Sequence, residues 1–187
     1  MSINREFFFQ QCRWTLFAGR YTQSQVHGLN HLLDHWETHY ASEDDRWLAY
    51  ILATSHHETD KKHQPIEEYG RGRGRPYGRP SGPHGHVYYG RGYCQLTWEI
   101  NYRRFERLLG LPLVEQPDLA CEPETAAVIL FRGMIEGLFT GRKLGHYISG
   151  KKCDWVNARR VVNGLDKANL IADHARRFYA AISYTKD

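Results

Sequence analysis

The sequence predicts a mainly α-helical protein interrupted in its first half by a long glycine-rich insertion. Three observations carry this reading. Apolar residues recur at helical spacing before residue 58 and again after residue 97, cap residues stand at the starts of several of those stretches, and the composition changes sharply between Gly70 and Gly92. With 187 residues, 41% of them hydrophobic and 25% charged, the chain suits a single domain over 1–187. It has room for two lobes but not comfortably for two independent domains.

Taken in order, the N-terminal stretch offers only the short apolar run Phe7 to Phe9, too brief for the core of a signal peptide, so cytoplasmic synthesis is expected. No stretch approaches the roughly 20 apolar residues of a membrane span, and no membrane insertion is expected. Thr22 and Gln25 have the spacing of a capping box, and Val26, Leu29, Leu33, Trp36 and Tyr40 come after them at intervals of three and four, so a helix is expected there. Ser42 with Asp45 suggests a second cap before Trp47, Leu48, Ile51 and Leu52, and this helix should end near His57 or Glu58. Between Gly70 and Gly92, glycine, proline and arginine alternate in a run that no helix interior tolerates, which predicts a long loop with room for a short hairpin. Loops of this length inside compact domains are usually functional. Helical signals resume from Thr97 to Leu109, closed by Gly110. Pro123 suits the first turn of a helix to about Glu136, and Asp154 is placed to cap a short helix closed by Gly164. The last helix, Asp166 to Ile182, sets Ala168, Ile171, Ala175, Phe178 and Ile182 on one face.

The formal charge of +4 favours an anionic partner without choosing among nucleic acid, a membrane surface and an acidic wall polymer. Cys12, Cys94, Cys121 and Cys153 form no C-x-x-C pair, so neither a zinc knuckle nor a dense disulfide framework is indicated, and buried free thiols are expected. The segment from Ser55 to Gly70, SHHETDKKHQPIEEYG, places Glu58 at a helix end and Glu67 and Glu68 about ten residues on, beyond a proline that redirects the chain. Two carboxyl groups so arranged suit glycosidic cleavage, in which one protonates the leaving oxygen and the other handles water or a covalent intermediate. Solvated surface glutamates would give the same spacing.

The H-E-T of His57 to Thr59 is followed by YGRGYCQLT, Tyr89 to Thr97, then by Asn101 and Tyr102, and late in the chain by Asn163 and Gly164. In this order the motifs resemble family 19 glycoside hydrolases, the plant chitinases and the related phage and bacterial endolysins, over roughly residues 50 to 180. The resemblance implies a lysozyme-like (α+β) two-lobed domain that carries the Gly/Arg-rich insertion. It implies Glu58 as the general acid and, on the P-I-x-E pattern of Pro65, Ile66 and Glu68, Glu68 as the base that activates water for inversion, with Glu67 the close competitor. It further implies that Thr97 helps hold the catalytic water, and that Gln95, Asn101, Asn163 and an arginine of the final helix, Arg176 rather than Arg177, bind sugar. Plant members carry their second glutamate farther from the first. The tracts FRGMIEGLFTG and ARRVVNG lie closer to phage and prophage members, which favours bacterial peptidoglycan over chitin and release through a holin-like pore or a secretion machine. A monomer acting on this polysaccharide without cofactor or metal is expected.

Two other classes compete. His56, His57, Glu58 and His63 cluster as in a metal hydrolase, although H-E-x-x-H would need histidine where Lys61 stands. Arg71, Arg73, Arg75, Arg79 and Arg91 among glycines and tyrosines resemble a nucleic-acid-binding segment, yet the run leads directly into the Q-L-T tract, and no nucleic-acid partner is expected. Tyr88, Tyr89 and Trp98 could offer faces to sugar rings or belong to the core.

Overall fold

The computed structural model describes residues 2–185. Along the chain come helices α1 (Arg5–Leu16), α2 (Gln23–His39), α3 (Asp45–Glu58), α4 (Glu99–Leu109), α5 (Pro123–Glu136) and α6 (Ala168–Ala181). Four two-residue strands, β1 (Ile66–Glu67), β2 (Arg91–Gly92), β3 (Ile148–Ser149) and β4 (Lys152–Cys153), pair antiparallel as β1–β2 and β3–β4. The chain falls into two compact units. One takes in the residues up to His63 and again from Phe131 onward, and the other is Gln64–Leu130. The expected Gly70–Gly92 insertion is thus the first part of a larger unit that includes α4. No helix among the described residues is long and apolar enough to cross a membrane.

The first unit is built on α3, whose residues from Leu48 to His56 are all buried, so that it is enclosed on every side. Helix α6 packs against α3 and α1 with Ala168, Ile171, Ala172, Ala175, Phe178 and Ala181. Helix α2 starts at the expected capping box, with Thr22 and Gln25 each bonding the other's backbone N–H. Helix α1 was not legible: Asn4 caps it by accepting from the Phe7 N–H, but its buried Phe8, Cys12 and Leu16 are masked by the neighbouring Phe7 and Phe9. The cap of α3 is Asp44, whose carboxylate accepts from the Arg46 N–H and binds its guanidinium, and not Ser42. Asp154 accepts from the Asn157 N–H, but the residue at the N-cap is Val156 and the segment is a 3-10 turn, Asn157–Val161, where a short helix capped by Asp154 was expected. The last helix begins at Ala168 and not Asp166, because Lys167 takes a positive φ of 54°. None of the four cysteines is in a disulfide; Cys12 and Cys94 are buried as expected, whereas Cys121 is only partly covered and Cys153 is exposed, against the expectation of buried thiols.

The end of α3 is braced from below. The Thr59 hydroxyl donates to the Ser55 carbonyl and accepts from the His63 N–H, and the His56 and His63 rings share a 2.9 Å hydrogen bond between Nδ1 and Nε2. Burial holds both imidazoles neutral, with His56 lowered to about 2, chiefly by burial and further by the neighbouring His63, His174, Lys61 and His57, which disfavour a second positive charge, and His63 lowered to about 3 by burial. The unfolded chain takes up protons below the ordinary histidine value of roughly 6.5 while the folded chain does not. Stability from this pair is therefore fully present above that pH and is lost as pH falls through the window below it. From pH 7 to pH 5 the pair is expected to cost about 4 kcal/mol, read as a fall in the urea midpoint. An unchanged midpoint over that interval would mean that the rings protonate in place.

In the second unit the register is Ile66 opposite Gly92 and Glu67 opposite Arg91. Helix α4 ends at Gly110, in the left-handed conformation the sequence called for, and buries Tyr102 and Phe105. It starts at Glu99 and not Thr97, because Trp98 sits at φ 68°, ψ 131°, which no helix accommodates. Helix α5 has the expected bounds, with Pro123 first.

Candidate active-site residues

Glu58 is the last residue of α3, and the turn after it carries Asp60, Lys61 and His63 at positive φ, a conformation that disfavours side chains with a Cβ. Such strain persists only where surrounding contacts over-determine it, and here the Thr59 and His63 bonds do so. Arg159, 2% exposed, donates from Nη2 to Glu58 Oε1 at 2.8 Å, and its Nε donates to the Asp166 carbonyl. Oε2 of Glu58 makes no hydrogen bond among the described residues.

Glu67 and Glu68 are consecutive in an extended segment, so their side chains leave on opposite faces. Glu68 is held at both oxygens: the Tyr77 hydroxyl donates to Oε1 at 3.1 Å and the Gly90 N–H to Oε2 at 3.1 Å. The Tyr77 phenol is raised above its ordinary value, first by burial and then by the Glu68 charge and hydrogen bond, so it stays a donor. Glu67 instead accepts from the Tyr89 hydroxyl at 3.0 Å and pairs with the exposed Arg71, on the edge of a pocket of about 530 Å³ that also receives Arg91, Asp118 and Glu122.

Much of the Y-G-R-G-x-x-Q-L-T tract is structural. Arg91, 4% exposed, lies 3.7 Å over the Tyr89 ring and binds Asp118, the Val87 carbonyl and the Tyr102 hydroxyl. A Cβ at Gly90 would stand 2.7 Å from Gln95 Oε1, so a side chain there would displace the Gln95 amide, and the Gly90 N–H donates to Glu68. Gln95 donates from Nε2 to the Ile66 and Gly92 carbonyls, so its amide nitrogen ties the β1–β2 hairpin together. The half-buried Thr97 hydroxyl makes no bond among the described residues, and Asn101 donates to the Thr97 carbonyl, leaving its own Oδ1 open. Of the three candidate platforms, Tyr88 and Tyr89 are 1% and 8% exposed and belong to the core, whereas Trp98 is 47% exposed with its ring against Tyr77.

In the helical unit, Asn163 is exposed and its Oδ1 accepts from the Gly164 N–H, the geometry of a residue closing a turn. Arg177 is anchored to Asp173 and to the Thr15 carbonyl, while Arg176 is exposed and makes no ion pair among the described residues. His56 and His63 turn facing nitrogens to each other, an arrangement that departs from the open ligand set a metal hydrolase needs.

No family model matches the chain. Over 86 residues, 44% of the chain, it is 40% identical to an endochitinase of Arabidopsis thaliana, and a second endochitinase of that plant is also 40% identical over 86 residues. The chain spans 29% of the length of these curated relatives. Among solved structures, a bacterial family 19 chitinase superposes with a TM-score of 0.55 at 21% identity, covering 95% of this chain and 93% of that one. The fold is that of a family 19 chitinase. Its mainly helical, lysozyme-like character agrees with the expectation from the ordered motifs.

Within this family 19 fold, the residue that the motifs did not single out is Arg159. Its signal was available: an arginine in an apolar tract, ARRVVNG, has to find a carboxylate if it is buried. Arg159→Met is expected to cost about 3 kcal/mol of stability, because it leaves Glu58 without its buried partner. Urea denaturation measures the loss, and the Arg159→Lys variant should recover part of it; a change within about 0.5 kcal/mol, as for an ordinary surface substitution, would show that the ion pair does not hold Glu58.

Proposed function

We propose that the protein is an inverting glycoside hydrolase acting on a β-1,4-linked N-acetylhexosamine polymer, bacterial peptidoglycan in particular. The observation that carries this reading is that the two glutamates singled out by the motifs are each fixed with capacity to spare. Glu58 is anchored through one oxygen and open at the other, and Glu68 is held by single donors at each oxygen, which leaves lone pairs for water. In the reaction, Glu58 gives its proton to the glycosidic oxygen as the C–O bond breaks. Glu68 takes a proton from the water that attacks the anomeric carbon from the opposite face, and Thr97 accepts or donates a bond to that water. The acid and the base return to their starting states by exchanging one proton through solvent.

Peptidoglycan is supported by the character of the tracts around Phe131 to Gly141 and Ala158 to Gly164 and by the arginines of the insertion. The identity with endochitinases favours a second reading, chitin oligomers as substrate. Delivery to the wall by a holin-like pore or a secretion machine belongs to the first. Proton NMR of products in the first minutes of digestion tests the mechanism: inversion gives the α-anomer first from either polymer, whereas initial β-anomer would require a retaining mechanism with a covalent or neighbouring-group intermediate.

A further inference from the structure

The arginine-rich segment has an ordered shape that the catalytic reading does not use. Successive turns close through Arg71 N–H to the Glu68 carbonyl, Arg73 N–H to Gly70, Arg75 N–H to Gly72 and Gly78 N–H to Arg75, at 2.9 to 3.0 Å. The segment folds onto itself where Gly72 meets Gly78: a Cβ at Gly78 would lie 1.7 Å from the Gly72 carbonyl oxygen, so only glycine fits. The result is a cavity of about 460 Å³ lined by Gly74, Arg75, Pro76, Gly78 and Arg79.

Its lining is cationic with no carboxylate in it. Arg71 is neutralised by Glu67, but Arg75 and Arg79 make no ion pair, and the Gly74 N–H makes no hydrogen bond, among the described residues. Two exposed arginines without ion pairs and a glycine whose amide is unused line one concavity, a lining that suits an oxyanion, since guanidinium binds carboxylate and phosphate through paired N–H donors. The cavity is also tied to Glu68, because Pro76 and Gly78 flank Tyr77, whose hydroxyl donates to the Glu68 carboxylate.

We propose that this cavity is an anion subsite that receives a carboxylate carried by the substrate glycan, and so selects an acidic, peptide-substituted aminoglycan over a neutral one. The selection of substrate rests on the glycosidase reading; the anion site itself does not. A neutral sugar takes hydrogen bonds from these arginines but no charge pairing, whereas a carboxylate held next to the Glu68 support gains both and positions the sugar that bears it.

The test uses the intact protein at physiological salt with backbone amide shifts as the readout. The probes are inorganic phosphate, a disaccharide-peptide fragment of peptidoglycan with free carboxylates, the same fragment with its carboxylates amidated, and a single-stranded oligonucleotide. Saturable shifts at Gly74, Arg75 and Gly78 are expected with phosphate and with the free fragment, and the free fragment should bind about fivefold to tenfold tighter than the amidated one. The double variant Arg75→Gln/Arg79→Gln should lose both effects with its remaining spectrum unchanged. Absence of saturable phosphate shifts at these amides would overturn the anion subsite, and equal binding of the free and amidated fragments, or an unchanged preference in the double variant, would overturn the assigned ligand. An oligonucleotide that binds more tightly than the free fragment would give the surface to nucleic acid instead. None of these readouts needs turnover, so a failed glycosidase reading would show separately, as no release of reducing ends.

Discussion

Glu58→Gln is expected to lower hydrolysis by roughly 10² to 10⁴ while the protein stays folded. The amide still accepts from Arg159 through its carbonyl oxygen, so the anchor geometry survives, but no proton is available for the leaving group. The loss should fall on kcat and leave KM nearly unchanged, because a proton transferred only in the transition state contributes nothing to ground-state binding. A substrate with a phenolate-type leaving group, which departs without protonation, should recover much of the rate. If Glu58→Gln retained the activity of the native protein with both substrates, the end of α3 would be a structural terminus and not a catalytic one.

The second large effect separates adjacent residues. Glu68→Gln is expected to cost roughly 10² to 10⁴ in rate, with partial rescue by a small exogenous anion such as azide acting from the face of the missing base. Glu67→Gln removes only an exposed ion pair with Arg71 and one phenol contact, worth about 0–1 kcal/mol, and should leave the rate within about threefold. Comparing kcat for the two single variants on one substrate decides the assignment. The reverse order of effects would move the base to Glu67 and to the pocket it shares with Arg91 and Asp118.

How much of the fold could be read from the sequence depends on how local each signal is. The capping box at Thr22, the Pro123 start of α5 and the Gly110 stop of α4 are settled within one turn of chain, and all three stand where the residues placed them. Helix α1 escaped because the consecutive aromatic residues Phe7, Phe8 and Phe9 hide a period of four. The early start assigned to α4 failed because the strain at Trp98 comes from its surroundings and not from any helix-breaking residue at that place. At the candidate site, H-E-T and P-I-E-E pointed to the glutamates, but their partners are distant in sequence. Arg159 reaches Glu58 across 101 positions, and Gly90 reaches Glu68 across 22. The Y-G-R-G tract is legible as a unit, yet composition alone cannot tell that its Arg91 is buried scaffolding while Arg75 and Arg79 of the preceding insertion make no ion pair among the described residues.

The most direct test of the two-glutamate reading is release of new reducing ends, with products identified by mass, from purified peptidoglycan and from soluble chitin oligomers by the native protein, Glu58→Gln and Glu68→Gln side by side. The expected result is reducing-end release by the native protein, with peptidoglycan the better substrate, and its loss in both variants at unchanged far-ultraviolet circular dichroism. Release of amino groups without reducing ends, or equal rates in all three proteins, would contradict it and leave the family 19 likeness as a likeness of fold.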